Sequence, residues 1–373
     1  MKRYHVAYSA EKDINEALED VISQIRKNAE GRQPILILFS SAVNDFELVA
    51  PKLYERFPAT IVMGTSTYIN FCSEGYSLHG ISAIAIYDGI ECSYGIISDI
   101  KSYPLRYAKE VSTAFNKIGT TENICCIEYT PAFANCEEIV QDTFRTALTG
   151  VRVPVFGSSA GAPDGSDISY VSLNGQIFDE ACVFVMVRNL NGPIHIFKEN
   201  LFKPTGESYK ATDVDCDERA VYEFDSRPAA SVVANALHVS IDQLEDELLM
   251  HPVGRVDKNE IYITEVDKVH PDGRITYFSR IYNNCYVEQL ELEDMDMVWK
   301  ETAMNVHDKV SNISFSLVVN CCSRSEYFIK ENKFDEYNKF LNTEYGNFFG
   351  VSGYGEQMNF THLNQTMLLV CFE

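Results

Sequence analysis

Apolar positions recur with two alternating periods from the first residues to about residue 190. Between residues 11 and 30 they fall at Ile14, Leu18, Val21, Ile22 and Ile25, the one-sided spacing of an amphipathic helix. Short runs follow at 35–39, wholly apolar, and at 60–63, apolar after Thr60 and ending at Gly64, and both read as buried strands. Between them, residues 45–57 read as a helix with Asp45 as its N-cap and Pro58 beyond its end. Strands at 81–87 and 91–97 flank Asp88-Gly89, a hairpin turn signal. The pattern then gives a helix at 104–118 with Pro104 in its first turn, a strand at 123–128 and a helix at 137–148. Strands follow at 153–156, ending at Gly157, and at 167–173 and 182–187.

This order contains a repeat. Strand, helix, strand, a glycine-hydroxyl segment and further strands occur over about 35–97 and again over 124–187. The glycine segments are Gly64-Thr65-Ser66-Thr67 and Gly157-Ser158-Ser159-Ala160. Turn-rich, acidic sequence between 189 and 225 marks a boundary, so the expected domains are 1–200, internally duplicated, and 201–373, smaller. The second reads as helices at 228–237, 242–250, 292–310 and 325–341, with strands at 260–266, 274–281, 314–319 and 366–372. Near the end, Phe348-Phe349-Gly350 runs into a glycine-rich loop, Gly353-Tyr354-Gly355. The fold class is α/β with α+β character: layered, mixed sheets with flanking helices.

Composition narrows the function. The 373 residues are 46% hydrophobic, with 22 Phe and 21 Tyr, enough for sizeable cores. The net charge of −23 repels phosphate, which argues against nucleic acid and against an anionic membrane surface. No apolar run is long enough to span a membrane, and the basic N-terminus lacks a signal-type apolar run behind it. The eleven cysteines show no CxxC or zinc spacing, and the pairs Cys125–Cys126 and Cys321–Cys322 lie in strand-like runs where neighbours face opposite ways. They suit free thiols in a reducing, cytoplasmic setting, where the sequons at Asn359 and Asn364 are incidental.

The candidate chemistry lies in the glycine-hydroxyl segments and a C-terminal cluster. Glycine at a strand end permits a tight turn after which N–H groups converge, and the hydroxyls of Thr65, Ser66, Thr67, Ser158 and Ser159 add uncharged donors and acceptors. Such a site suits a carboxylate or other small polar group; neither nucleotide-binding glycine pattern is present. Asn320-Cys321-Cys322-Ser323-Arg324 joins a strand to a helix, and a guanidinium at a helix start points to an anion. Glu356, in Gly353-Tyr354-Gly355-Glu356-Gln357, suits loop anchoring or an ammonium group, and Asn364 closes the cluster. Catalysis is the weaker reading: Cys321 with His362, or Ser66, offers a nucleophile, yet neither sits in an elbow motif, and the histidines show no metal spacing. No metal or cofactor is called for.

These segments resemble the FIST family, with N- and C-terminal FIST sensory domains in tandem. The resemblance rests on Met63 to Thr67, the 77–87 segment and Val155 to Ala160, then on Asn320-Cys321 with Arg324, Phe348 to Gly350, Gly353 to Gln357 and Asn364-Gln365-Thr366. It implies a signal-transduction sensor for small molecules such as amino acids, and no catalytic residues. Relatives often carry kinase, cyclic-dinucleotide or chemoreceptor modules, none of which follows Glu373, so the expectation is output through a separate partner protein, or a chain that is the detached sensory half of such a system. The competing expectations are a thiol- or serine-dependent hydrolase and an acidic interaction scaffold.

Overall fold

A computed structural model of the chain describes residues 2–162, 167–258 and 260–373. They form a mixed α/β protein of two compact units. Unit 1 comprises 1–198, 303–362 and 367–373; unit 2 comprises 199–302 and 363–366.

Unit 1 is built from one motif used three times. The first copy contains β1 (Tyr4–Ser9), α1 (Ile14–Ala29), β2 (Leu36–Ser41), α2 (Val43–Arg56), β3 (Ile61–Ser66), a hairpin of β4 (Asn70–Cys72) and β5 (Gly75–Ser77), and β6 (Ile81–Ile86). The second contains β7 (Ile90–Ile97), α3 (Ala108–Ile118), β8 (Ile124–Pro131), α4 (Glu137–Ala147), β9 (Val155–Ala160), a hairpin of β10 (Val171–Leu173) and β11 (Gln176–Phe178), and β12 (Cys182–Asn189). The third opens with β13 (Ile194–Asn200) and is then interrupted by unit 2.

Unit 2 carries β14 (Phe202–Asp215), β15 (Ala220–Phe224), β16 (Arg227–Pro228), α5 (Ala229–Leu237), α6 (Ile241–Met250), β17 (Val253–Asp257), β18 (Glu260–Thr264), β19 (Val266–Val269), β20 (Ile275–Tyr277) and β21 (Tyr286–Leu292). Its sheet runs β18-β17-β21-β14-β15-β20-β19, with β16 on β15. Phe224 and Ile275 from the sheet and Val233, Leu244 and Leu248 from the helices close its core. The third copy resumes with α7 (Met295–Lys309), β22 (Phe315–Cys321), α8 (Cys322–Lys330), α9 (Phe334–Tyr345), β23 (Phe348–Gly353), a hairpin of β24 (Gly355–Met358) and β25 (Thr361–Leu363), and β26 (Thr366–Phe372). The expected second domain, 201–373, is thus divided between the two units.

Each copy places two parallel strands at its centre, β2 with β3, β8 with β9 and β22 with β23, and lays its last strand antiparallel on the first of the pair. The outer edge of the pair is covered by another copy's hairpin: β10–β11 extends the first sheet, β24–β25 the second and β4–β5 the third. Exchange of hairpins removes the exposed edge that each pair would otherwise present. Helices cover the sheets. Asp13 caps α1 by accepting from Asn15 N at 2.8 Å, and the helix buries Val21 and Ile25 against Phe39, Phe46 and Leu53. Phe144 of α4 meets Phe184 of β12 edge-on in the second copy.

Several local expectations change. Asp88-Gly89 does not close a hairpin, because β6 and β7 belong to different sheets; the turn joins two copies. The repeat therefore begins at β7, before residue 124. Asp45 lies in the first turn of α2, whose N-cap is Ala42. The helix expected at 325–341 is two, α8 and α9, separated at 331–333.

Candidate functional site

The glycine-hydroxyl segments are strands rather than loops. Gly64 to Ser66 lie in β3, Gly157 to Ser159 in β9, and the third equivalent, Gly350 to Ser352, in β23. Their N–H groups are engaged by neighbouring chain: Ser66 N donates to Tyr170 O at 2.8 Å and Thr67 N to Ser41 O at 3.1 Å. The strands continue past each glycine because the exchanged hairpin supplies a partner strand there. A fan of free amides, expected after a tight turn, is not formed at these positions.

What forms instead is a ring. Tyr68 N donates to Ser352 O at 2.8 Å, Gly161 N to Ser66 O at 2.9 Å and Tyr354 N to Ser159 O at 3.1 Å. These amides follow β3, β9 and β23 at equivalent places, so each copy bonds the next and the last bonds the first. The approach is close enough to require glycine twice. A Cβ on Gly353 would collide with Ser159 O and Ser158 Oγ, and one on Gly161 would meet Ser352 O at 2.6 Å.

Around the ring runs a buried polar network. Asn320, at the end of β22, accepts on Oδ1 from Arg324 Nε and from Tyr337 OH, both at 3.1 Å. Its Nδ2 donates to Ser325 Oγ at 2.8 Å, Ser325 Oγ bonds Ser352 Oγ at 2.8 Å, and Ser352 N donates to Thr67 Oγ1 at 2.9 Å. A continuous path thus joins Arg324 of the third copy to Thr67 of the first. Arg324 is in the first turn of α8, 2% exposed, with its guanidinium 5.4 Å from the Phe328 ring.

The second copy adds carboxylates. Ser159 Oγ donates to Glu137 Oε1 at 3.0 Å, and Glu137 opens α4, where the helix dipole favours negative charge. Gln357 Nε2 lies 2.9 Å from Ser159 Oγ and 3.0 Å from His362 Nδ1. Gln357 is fully buried, and its Oε1 has no hydrogen-bond partner among the described residues. Glu356 pairs with Ser158, and Gly355 with Ser159, in the β24–β9 register. Behind Gly157 sits Glu128, which accepts from Thr130 Oγ1 at 2.8 Å and Gln141 Nε2 at 2.9 Å. Burial raises its pKa to about 7, against those hydrogen bonds and helped by the charge of Glu137.

The structure therefore brings together Gly64, Thr65, Ser66, Thr67, Gly157, Ser158, Ser159, Asn320, Arg324, Gly353, Gly355, Glu356 and Gln357 in the interior of unit 1. Tyr354 is half-buried beside them, its hydroxyl donating to Ala162 O at 2.8 Å. Asn364 belongs to unit 2, where its Oδ1 accepts from Glu265 N at 3.3 Å. Sequence reasoning missed Glu128, Glu137, Gln141, Ser325, Tyr337 and Ser352. Only Glu128 carried a signal, a carboxylate within an apolar strand run; the others are ordinary helix or strand residues until the copies meet. The cluster offers hydroxyls, amides, one guanidinium and carboxylates, which suits recognition of a small polar molecule. Among the described residues no group of three His, Cys, Asp or Glu could hold a metal.

Comparison with known families finds a FIST N domain over residues 35–227 and a FIST C domain over residues 229–359. Their border falls inside unit 2. A search of curated proteins finds none that matches the chain.

Proposed function

The chain belongs to the FIST family of signal-transduction sensory domains, and from that premise we propose that it senses a small polar metabolite, an amino acid by preference, at the centre of unit 1. One observation carries this reading: three glycine-hydroxyl strands meet in a single buried polar cluster that also holds Arg324 and Glu356. Arg324 with Asn320 suits a carboxylate, and Glu356 suits an ammonium. The unsatisfied Gln357 Oε1 offers an acceptor to a ligand donor.

Because the cluster is sealed, a ligand reaches it only if the copies part, and the three ring bonds are the element that opening would change. That supplies a sensor with two states whose balance a ligand can bias. The signal then passes to a separate output protein of the kinase, cyclic-dinucleotide or chemoreceptor kind, in the cytoplasm. No helix among the described residues is long and apolar enough to cross a membrane.

The reading is of binding rather than catalysis. Ser66 Oγ accepts from Tyr170 N at 3.0 Å, and Thr65 and Ser158 hydroxyls donate to main-chain carbonyls. In this closed state each hydroxyl is engaged by main chain rather than presented to a general base. Thermal unfolding of the protein across a panel of amino acids and organic acids tests the proposal. A ligand far above its dissociation constant stabilises the fold by about 2–4 kcal/mol. A broad panel that leaves the melting temperature unmoved removes the sensor reading.

A further inference from the structure

Three times in unit 1 a hairpin turn bonds the third strand of another copy. Asn174 N donates to Val62 O at 2.7 Å, Asn359 N to Val155 O at 2.8 Å and Ser73 N to Phe348 O at 3.0 Å. In two cases the turn begins with a left-handed asparagine, φ 50° at Asn174 and 48° at Asn359, and the adjoining helix closes on it. Tyr54 of α2 stands so near Gly175 that a Cβ there would meet it at 3.1 Å. Arg145 of α4 donates to Phe360 O at 2.9 Å and lies 5.9 Å from the Phe360 ring.

The third junction departs from this pattern. Its turn is Ser73-Glu74, and α9 presents Asn338, Lys339 and Asn342 where the other helices present Tyr54 or Arg145. The space stays open as a cleft of about 460 Å³ whose walls include Tyr8 and Tyr76. Asn338, 9% exposed, donates through Nδ2 to Cys72 O at 3.2 Å, while its Oδ1 has no partner among the described residues. Ser73 Oγ is likewise buried without one. Glu74 and Asp335 stand exposed on the rim, and Tyr76 hydrogen-bonds Asp335. Tyr76 and Asp335 also border a second hollow of about 270 Å³, lined by Ile69, Leu78, Ile329 and Phe334.

We infer that this cleft is a second ligand site, distinct from the buried cluster, and that it takes a small organic ammonium compound with a short apolar body. Such a cation brings only donors, which the Asn338 Oδ1 acceptor and two carboxylates require, and the aromatic rings of Tyr8 and Tyr76 in the lining suit an organic cation. The adjoining hollow holds the apolar body. Lys339, the one cation among the lining residues, opposes the ligand charge and so sets the sign of a test.

Calorimetry of the full chain with phenethylammonium, phenethyl alcohol and 3-phenylpropionate reads out the inference. The ammonium compound binds and the other two do not. The exposed double variant Glu74→Gln, Asp335→Asn weakens it by about tenfold or more, and Lys339→Met tightens it. Failure of phenethylammonium to bind overturns the inference. So does an affinity unchanged in the double variant, or equal or tighter binding of the alcohol or the carboxylate.

Discussion

The amide of Tyr68 donates to the carbonyl of Ser352 at 2.8 Å, which ties the first copy of the motif to the third. Two bonds of the same kind complete a circuit, so the interior of unit 1 is held by the equivalent position of every copy. A change at any one of these positions is felt at the junction of two sheets rather than in one loop.

Gly353 is the sharpest case. A methyl group there would strike both a main-chain oxygen and a side-chain oxygen of β9; the Ser158 hydroxyl can rotate aside, but Ser159 O cannot retreat without breaking the Tyr354–Ser159 bond. Gly353→Ala is expected to destabilise unit 1 by about 1–3 kcal/mol, the usual cost of overpacking. Urea unfolding followed by far-ultraviolet circular dichroism checks this. A variant as stable as the parent would mean that the ring is looser than its geometry indicates.

Ser158 and Ser159 are neighbours with unequal roles. Ser158 Oγ donates to Ser159 O, whereas Ser159 Oγ lies between Glu137 and Gln357, both buried. Removing the second hydroxyl strips one bond from each of two buried polar groups, at about 1–3 kcal/mol. Ser158→Ala is expected to cost about 1 kcal/mol or less. Paired denaturation curves decide it, and equal losses would show that Ser159 bridges nothing of consequence.

Glu128 makes stability depend on pH in an unusual direction. Its carboxyl is raised from 4.5 to about 7, so the folded protein holds this proton more tightly than the unfolded chain. The contribution is fully present below the unfolded value of 4.5 and is lost as pH rises through about 7, the sign for a raised carboxyl. The full span is about 3 kcal/mol. Glu128→Gln removes that slope: relative to the parent, the variant gains stability between pH 5 and pH 8, by about that amount at most. Melting curves at several pH values measure it, and parallel profiles would place the proton elsewhere. Gln141 Oε1, beside Glu128 and without a partner among the described residues, gives the proton an acceptor once the amide turns over.

Much of this architecture was legible in the chain, and the rest was hidden for physical reasons. Periodicity located α1 and, to the residue, the last strand, Thr366–Phe372. It also exposed the repetition of the first two copies. The third escaped because residues 199–302 separate β13 from the rest of its motif, and no local window spans such a gap. Three-residue strands such as β4 and β5 carry no period, and their partner, β23, lies far along the sequence. The long strand β14 shows solvent mostly polar residues and contains Pro204 and Gly206, so it read as loop. At the candidate site, the glycines and hydroxyls were visible as composition. Their partners Ser325, Tyr337 and Glu137 become site residues only through contacts between distant elements.

Arg324 separates a binding role from a structural one. Its Nε holds Asn320 Oδ1, yet Asn320 also keeps Tyr337 and Ser325, so the path toward Ser352 survives loss of the guanidinium. Arg324→Met retains much of the side-chain volume against Phe328 while removing the charge. If the guanidinium receives a ligand carboxylate, the variant loses ligand-induced stabilisation by about 1.5–3 kcal/mol, the worth of a charged hydrogen bond. Arg324→Lys, which keeps charge but not the planar fork, recovers only part of it. Asn320→Ala instead breaks the path itself and lowers stability with or without ligand. Thermal shifts for the three variants, each with and without the ligand, give the answer. Should Arg324→Met respond to ligand as the parent does, the carboxylate is held elsewhere and the role of Arg324 is confined to packing.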